Sequence, residues 1–255
     1  MDLFHRLRAT WNPDMYHGWG RTRRYFEGWY FKIVNADQSA ALAFIPGISM
    51  TESGEQHAFI QVMDGMACTA QYHPFPAGQF QPSHREFDLQ LGPNSFSASH
   101  IHLDLPCLSG EIHFHNTTPW PKMFGAPGIM GWYSFVPFME CFHGVVSLHH
   151  SLEGALQYGK QKIDFSGGRG YIEKDWGRSF PRAYVWMQTN HFDTADRVSL
   201  LASVAHIPWL GSSFIGFLGG LWLEGRLFRF ATYTGAKKYL EIAGDKVSLI
   251  FKNSK

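Results

Sequence analysis

A chain of 255 residues, 45% of them hydrophobic and 17% charged, is long enough to bury a substantial core and is globular rather than disordered. Its 22 basic and 21 acidic residues give a net charge of +1, which offers no electrostatic case for a nucleic-acid partner. Three cysteines without a CxxC pair indicate neither a disulfide framework nor a zinc ribbon, and they fit a reducing compartment.

The N-terminal segment "MDLFHRLRATW" does not have the pattern of a secretory signal peptide. His5, Arg6 and Arg8 interrupt its apolar residues, so no apolar core of the required length forms. We therefore expect a cytoplasmic protein.

The first predicted strand, "YFEGWYFKIV", contains a misfit. Aromatic and β-branched residues are typical of strands, in which alternate side chains share one face. One face of this strand would carry Tyr25, Trp29, Phe31, Ile33 and, among them, Glu27. A carboxylate in an aromatic wall is a candidate functional group.

Short strand-like runs dominate the rest of the chain. Examples are "QHAFIQVM", "SGEIHFHN" and "KVSLIFKN", and turn residues separate them. Their spacing predicts an all-β antiparallel barrel or sandwich. The Pro- and Gly-rich segment 117–138 is the best candidate for a connection between two β units, which we place at residues 1–140 and 141–255.

Histidines in "HIHLDLPCLSGEIHFH" form the one pattern that suggests a metal site. His100 and His102 would share one strand face, and His113 and His115 another. Because the apolar residues between them claim the core, we expect the histidines on a solvated face and predict no metal site.

The segment 206–223, "HIPWLGSSFIGFLGGLWL", contains no charged residue over nearly the length of a membrane span. Pro208, four glycines and two serines dilute it, and it runs into an apparent hairpin turn at Glu224 and Gly225. We interpret it as a buried strand rather than a transmembrane helix.

Other polar residues repeat the situation of Glu27. In "FVPFMECFHGVVSL", Glu140 would lie on one apolar strand face and His143 on the other. In "YVWMQTNHF", Gln188 and Asn190 would lie between two aromatic residues. The segment "GYIEKDWGRSFPR" adds a further polar and aromatic group near a strand end: Glu173, Lys174, Asp175 and Trp176.

Three segments resemble the signature segments of the tocopherol cyclase family: "RYFEGWYFKI", "GWYSFVPFMECFHGVVSL" and "GYIEKDWGRSFPRAYVWMQTNHF". They occur in the family's order, and the resemblance extends over residues 12–233. It implies two lipocalin-like antiparallel β-barrels, an architecture shared with carotenoid hydratases and some fungal Diels-Alderases. Compared with the family pattern, the second barrel is expected to be incomplete at its C-terminus.

The activity implied by this resemblance is cofactor-independent closure of a prenylated quinol, or a similar polyene, to a chromanol-type ring. An alkene must be protonated, and a carboxyl group in apolar surroundings can supply the proton because burial raises its pKa. The candidate catalytic residues are Glu27, Glu140 and Asp175.

Substrate binding would use aromatic and hydrogen-bonding side chains. Aromatic faces can stabilise a desolvated cation by ~2 kcal/mol or more, and amides can orient quinol hydroxyls. The candidate substrate-binding residues are Trp29, Tyr30, His143, Trp176, Trp186, Gln188 and Asn190.

Structural roles remain open for these residues. Glu27 could instead be a paired structural carboxylate, because buried charges usually have partners; the possible partners are Arg24, Lys174 and Arg178. The tryptophans could fill the core, and the amides could satisfy backbone groups.

The alternative functions are a non-catalytic carrier of an apolar ligand, a hydratase or other cyclase acting on a different polyene, and a structural protein with a vestigial pocket.

The expected partner is a small apolar substrate. A prenyl chain is nearly insoluble in water, so we expect peripheral membrane contact through Trp209 and Leu210, although Trp209 could equally pack into the core. An open second barrel would leave unpaired strand edges through which a homo-oligomer could form.

Overall fold

The computed structural model describes residues 3–136, 139–193, 195–209 and 212–253. Its strands pair in antiparallel fashion, which confirms the predicted all-β class. Helical structure in the described residues consists of α1 (Leu3–Trp11) and short 3₁₀ turns at Ala77–Gln79, Gly131–Phe135 and Thr232–Thr234. The strands are β1 (Tyr25–Val34), β2 (Ala41–Met50), β3 (Gln56–Asp64), β4 (Thr69–Pro76), β5 (Phe80–Pro82), β6 (Asp88–Leu91), β7 (Asn94–Ser97), β8 (His100–Leu105), β9 (Leu108–His115), β10 (Cys141–Tyr158), β11 (Gln161–Asp164), β12 (Arg169–Gly177), β13 (Tyr184–Thr189), β14 (Val198–Trp209), β15 (Ser212–Leu223), β16 (Arg226–Ala231), β17 (Lys237–Ala243) and β18 (Lys246–Lys252).

The first sheet contains twelve strands in the order β4-β3-β2-β1-β12-β10-β9-β8-β7-β6-β5, with β11 paired to β10. Residues from distant parts of this order, such as Ile60 of β3 and Leu91 of β6, belong to the same buried core. The sheet therefore curls around one apolar core, which we call the first core.

The second sheet has the order β13-β14-β15-β16. The separate hairpin of β17 and β18 contacts it through Phe251, whose ring stacks on Phe217 of β15 at 5.3 Å. Leu223 pairs with Arg226, which confirms the predicted turn at Glu224 and Gly225.

The segment 206–223 is divided between β14 and β15, which pair with each other from Val198 and Leu223 to Trp209 and Ser212. It is therefore two strands rather than one buried strand. No helix in the described part of the chain is long and apolar enough to cross a membrane.

The change from the first sheet to the second does not occur at residue 140. Strand β10 pairs with β9 and β12, and β12 pairs with β1, so residues 141–177 belong to the first sheet. The expected boundary was placed after the Pro- and Gly-rich segment, but this segment leaves the first sheet after β9 and the chain returns to the same sheet at β10. The second sheet begins only with β13.

The histidine pattern lies in the predicted hairpin of β8 and β9. His100 is directly opposite His113, and the side chains of His102, His113 and His115 are exposed. The expectation of a solvated face is confirmed.

Strands β1, β10 and β12 are covered on both faces. One face packs in the first core, and the other contributes residues such as Leu148 and Tyr171 to a second core. The second core also contains Trp222 and Leu201 from the second sheet, together with Trp120 from the segment after β9. The candidate site lies between the first and second sheets.

Candidate functional site

A cavity of about 540 Å³, which we call the inner cavity, lies between the first and second sheets. This volume is in the range typical of sites for small organic ligands. Most of its wall is apolar, and the first sheet contributes an imidazole and two carboxyl groups to it: His143, Glu173 and Asp175.

Strand pairing brings these side chains together. Residues directly opposite each other in an antiparallel pair point to the same face of the sheet. Asp175 of β12 is opposite His143 of β10, and Glu173 of β12 is opposite Tyr30 of β1. Because alternate residues of a strand share one face, Tyr171 lies on this face as well.

His143 contacts both carboxyl groups. Its Nδ1 lies 2.9 Å from Asp175 Oδ1, and its Nε2 lies 3.6 Å from Glu173 Oε2. Glu173 Oε2 also accepts hydrogen bonds from the Tyr171 hydroxyl at 2.7 Å and from Trp186 Nε1 at 3.2 Å. These contacts use Oε2 and leave Oε1 to carry a proton.

The environment raises the pKa of both Glu173 and His143. Burial, reinforced by the charge of Asp175, raises the pKa of Glu173 to about 7, although His143 opposes this change. Burial disfavours the charged form of His143, but the charges of Asp175 and Glu173 outweigh it and raise the pKa of His143 to about 9. Near neutral pH, His143 is therefore an imidazolium and Glu173 can exchange a proton.

Glu173 was recognised near a strand end but was not among the candidate catalytic residues. The signal available in the sequence was its alternation with Tyr171 and Asp175 on one face of β12. That alternation does not reveal which face borders a cavity, and only Asp175 was chosen from this face.

Glu27 has a different environment from the expected one. Its fully buried carboxylate forms an ion pair with Lys174 Nζ at 2.5 Å and accepts hydrogen bonds from the Tyr25 hydroxyl and from the backbone N–H groups of His17 and Gly18. Burial alone would raise the pKa of Glu27, but Lys174 and His17 outweigh it and lower that pKa.

Glu27 is thus paired with Lys174, one of the three partners considered for a structural carboxylate, and its pKa is lowered, whereas the expected acid needs a raised one. The residue borders the inner cavity, but its side chain is turned to the other face, where Glu27 is opposite Trp176. The ion pair joins β1 to β12, and hydrogen bonds from the backbone of His17 and Gly18 to Glu27 hold the segment around His17 against it.

Glu140 lies outside the wall of the inner cavity. Strand β10 begins at Cys141, so Glu140 precedes the strand on whose apolar face it was expected. Its half-exposed carboxylate accepts a hydrogen bond from Ser179 Oγ at 2.6 Å. Phe138, which is two residues before Glu140 and so would share its face in the predicted strand, lies outside the described residues.

Two of the candidate tryptophans surround a cation that belongs to the protein itself. Lys174 Nζ lies 4.7 Å from the ring centroid of Trp29 and 4.6 Å from that of Trp176. Both rings lie on the side of the first core. The aromatic candidates that face the inner cavity are Tyr30 and Trp186, whose rings meet edge to face at 5.5 Å.

The two candidate amides lie outside the wall of the inner cavity. Asn190 is fully buried, and its Nδ2 donates to the backbone carbonyl of Gly170 at 2.9 Å, as the structural alternative predicted. Gln188 Nε2 lies 3.4 Å from Ser199 Oγ within the second sheet.

His143, Glu173 and Asp175 are also the described group that could hold a metal ion, since their ligand atoms lie within 4.8 Å of one another. A ligating imidazole must be neutral. A metal ion would therefore have to displace the proton that His143 carries at neutral pH.

Comparison with known proteins finds a family model that matches the part of the chain containing His143, Glu173 and Asp175. The family model described as "Tocopherol cyclase-like" matches residues 109–240, which is slightly more than half of the chain and includes β10, β12 and β13. The chain is 32% identical to the chloroplastic tocopherol cyclase of Zea mays over 108 residues, which are 41% of this chain and 23% of that protein. The match thus covers less than a quarter of that relative's length.

Two solved structures share the fold. The crystal structure of CghA with Sch210972 has a TM-score of 0.53 and 11% sequence identity, and the match covers 80% of this chain and 59% of that one. Kievitone hydratase from Nectria haematococca has a TM-score of 0.50 and 11% identity, and the match covers 90% of this chain and 72% of that one. These likenesses support the expected lipocalin-like fold class.

Proposed function

This chain belongs to the tocopherol cyclase-like family, and from that membership we propose that it is an enzyme that cyclises a prenylated quinol or a similar polyene by protonating an alkene. The observation that carries the proposal is Glu173, a carboxyl group with a pKa of about 7 at the wall of an apolar cavity. A general acid is most effective when its pKa is near the working pH.

Glu173 begins the proposed reaction. Its Oε1 proton is transferred to one carbon of a trisubstituted alkene, and the other carbon becomes a tertiary cation. The phenolic oxygen then forms a bond to that cation and releases its proton, which returns to the Glu173 carboxylate. The substrate is isomerised, and the carboxyl group is restored.

His143 and Asp175 act together on Glu173. Asp175 accepts the Nδ1–H of His143 at 2.9 Å and so orients the ring. The imidazolium then stabilises the Glu173 carboxylate that exists after proton transfer, since its Nε2 lies 3.6 Å away. Asp175 thus keeps a place in the site as a positioning residue.

The remaining wall protects the cation. Tyr30 and Trp186 present aromatic rings beside Glu173, and such rings attract a desolvated cation. The apolar side chains around them, including Phe26, Phe59 and Leu218, exclude water that would otherwise add to the cation.

Product analysis tests this function. Wild type, Glu173→Gln and the exposed control Glu111→Gln are incubated with a panel of prenyl quinols and polyenes, and products are identified by mass spectrometry. We expect a product of unchanged mass from wild type and the control, and a loss of turnover of about 10²-fold or more in Glu173→Gln. Unfolding curves confirm that all three proteins are folded.

Three outcomes would contradict the proposal. Equal turnover by wild type and Glu173→Gln would remove Glu173 from the mechanism. A product heavier by one water would indicate a hydratase instead of a cyclase. Binding without turnover across the whole panel would favour the carrier.

A further inference from the structure

A second cavity, of about 730 Å³, lies among the described residues at the end of β14. We call it the outer cavity. Its wall is formed mainly by apolar side chains, among them Trp132, Tyr133, Met139, Trp209 and Phe214. The reaction proposed above uses none of them.

Strand β14 leads directly from the inner to the outer cavity. Its alternate residues Ser203, Ala205 and Ile207 line the inner cavity, and the next residue on that face, Trp209, lines the outer one. Alternate residues of a strand share a face, so the two cavities follow each other along one face of β14.

Strand β15 repeats this arrangement in the opposite direction. Leu218 lines the inner cavity and Phe214 lines the outer cavity. Leu218 is opposite Ser203, and Phe214 is opposite Ile207. The opposed pair of Ile207 and Phe214 therefore contributes one residue to the wall of each cavity.

The segment before β10 provides a third connection. Met130 lines the inner cavity, and Tyr133 and Met139 line the outer cavity. The ring of Tyr133 stacks on that of Phe214 with a centroid distance of 6.3 Å. Ile207, Phe214 and Tyr133 thus surround the boundary between the two cavities, which we call the neck.

We propose that the two cavities hold a single elongated ligand, with its reacting end beside Glu173 and its apolar chain passing through the neck into the outer cavity. The six steps from Ser203 to Trp209 span about 20 Å, because a strand rises about 3.3 Å per residue. Phe214 is then a residue that determines the accepted chain length. This inference rests on the proposed function for the position of the reacting end.

Binding measurements test the inference without turnover. Equilibrium dialysis of the radiolabelled alcohols geraniol, farnesol and geranylgeraniol, each below its micellar concentration, gives the gain in affinity with chain length. Wild type is compared with Phe214→Trp, which narrows the neck. The matched control is Ile215→Trp, because Ile215 is the next residue of β15, is 54% exposed and points to the opposite face.

We expect geranylgeraniol to bind wild type and Ile215→Trp at least tenfold more tightly than geraniol does. In Phe214→Trp this gain should fall to less than threefold, while the affinity for geraniol stays within threefold of wild type. A second variant, Ser212→Trp, fills the outer cavity beyond the neck and should reduce the gain in the same way. It replaces Phe214→Trp in the test if that variant does not fold.

The inference is overturned if Phe214→Trp and Ser212→Trp, both folded, keep the full gain with chain length. It is also overturned if Ile215→Trp loses the gain to the same extent, since the effect would then not depend on the cavity face. The same measurement on Glu173→Gln separates the two proposals. If the ligand occupies both cavities, Glu173→Gln should show the same gain in affinity with chain length as wild type, even though it has lost turnover. The gain in affinity is also measurable if the cyclase assay detects no product.

Discussion

Glu173 and Lys174 are adjacent in β12, and their side chains lie on opposite faces of the first sheet. Glu173 borders the inner cavity, where burial raises its pKa to about 7. Lys174 is fully buried on the other face, and its ammonium group pairs with Glu27 and donates to backbone carbonyls of Pro13 and Met15. One strand thus holds a carboxyl group with a raised pKa and the cation that fixes the N-terminal segment.

The pH dependence of turnover should follow Glu173. The acid must be protonated to donate, so kcat/KM should be constant below its pKa of about 7 and fall about tenfold for each pH unit above it. Steady-state rates between pH 5.5 and 9 provide the measurement. A rate that is flat across this range, or that rises with pH, would exclude Glu173 as the acid.

The stability of the protein should also depend on Glu173. Its pKa is higher in the folded chain than its usual value of 4.5, so the folded state binds more protons and stability falls as pH rises from about 4.5 to 7. Glu173→Gln removes this dependence. We therefore expect the free energy of unfolding of the variant, minus that of wild type, to increase by about 2–3 kcal/mol from pH 5 to pH 8.

Urea unfolding at both pH values measures this difference. Glu52→Gln is the control, since Glu52 is an exposed residue whose ion pair is with an arginine, Arg24, and its difference from wild type should be the same at both pH values. An unchanged difference for Glu173→Gln would mean that its carboxyl group is not held in the neutral form.

The pair of Glu27 and Lys174 should be structural. Lys174→Met leaves a buried carboxylate without its cation and should reduce the free energy of unfolding by about 3–5 kcal/mol. The exposed control Lys162→Met should change it by less than about 0.5 kcal/mol. In the double variant Glu27→Gln/Lys174→Met, the loss should be smaller than the sum of the two single losses.

Chemical denaturation of wild type, the two single variants, the double variant and the Lys162→Met control measures these losses. Additive losses would show that the two residues do not stabilise the fold as a pair. A folded and stable Glu27→Gln that lacks turnover would return Glu27 to the catalytic residues.

Membrane contact should involve the rim of the outer cavity. Trp209 is 37% exposed and Trp132 is 52% exposed, and both line that cavity. Aromatic side chains of this kind favour the membrane interface. We expect Trp132→Ala/Trp209→Ala to co-sediment with liposomes less than wild type does, whereas Tyr72→Ser, changed on β4, should bind like wild type. Leu210 lies outside the described residues and is left unchanged. Equal binding of the rim variant, or no binding by wild type, would contradict this prediction.

Self-association should involve the hairpin of β17 and β18. Tyr239, Ile242, Val247 and Ile250 of this hairpin expose large apolar side chains, which favours contact with another chain. Light scattering should detect a homo-oligomer of wild type and a smaller species for Ile242→Lys. A monomeric wild type would contradict the prediction.

The sequence by itself determined the class of fold and several local features. Alternating runs predicted antiparallel strands, and the turn at Glu224 and Gly225 followed from the residues around it. The same alternation predicted that Glu27 is a carboxylate on an apolar face, and the structure buries it there. These features depend on residues close in sequence or on a period of two, which a sequence displays directly.

Only the tertiary structure decided which face of each strand borders the cavity. Strands β1, β10 and β12 are buried on both faces, so alternation yields two apolar faces and no reason to prefer one. The choice depends on what packs over each face. Lys174 donates a hydrogen bond to the backbone carbonyl of Met15, which is 159 residues away in the sequence. Glu173, on the other face, accepts one from Trp186 of the second sheet. Because burial and neighbouring charge set a pKa, the same contacts raise the pKa of Glu173 and lower that of Glu27.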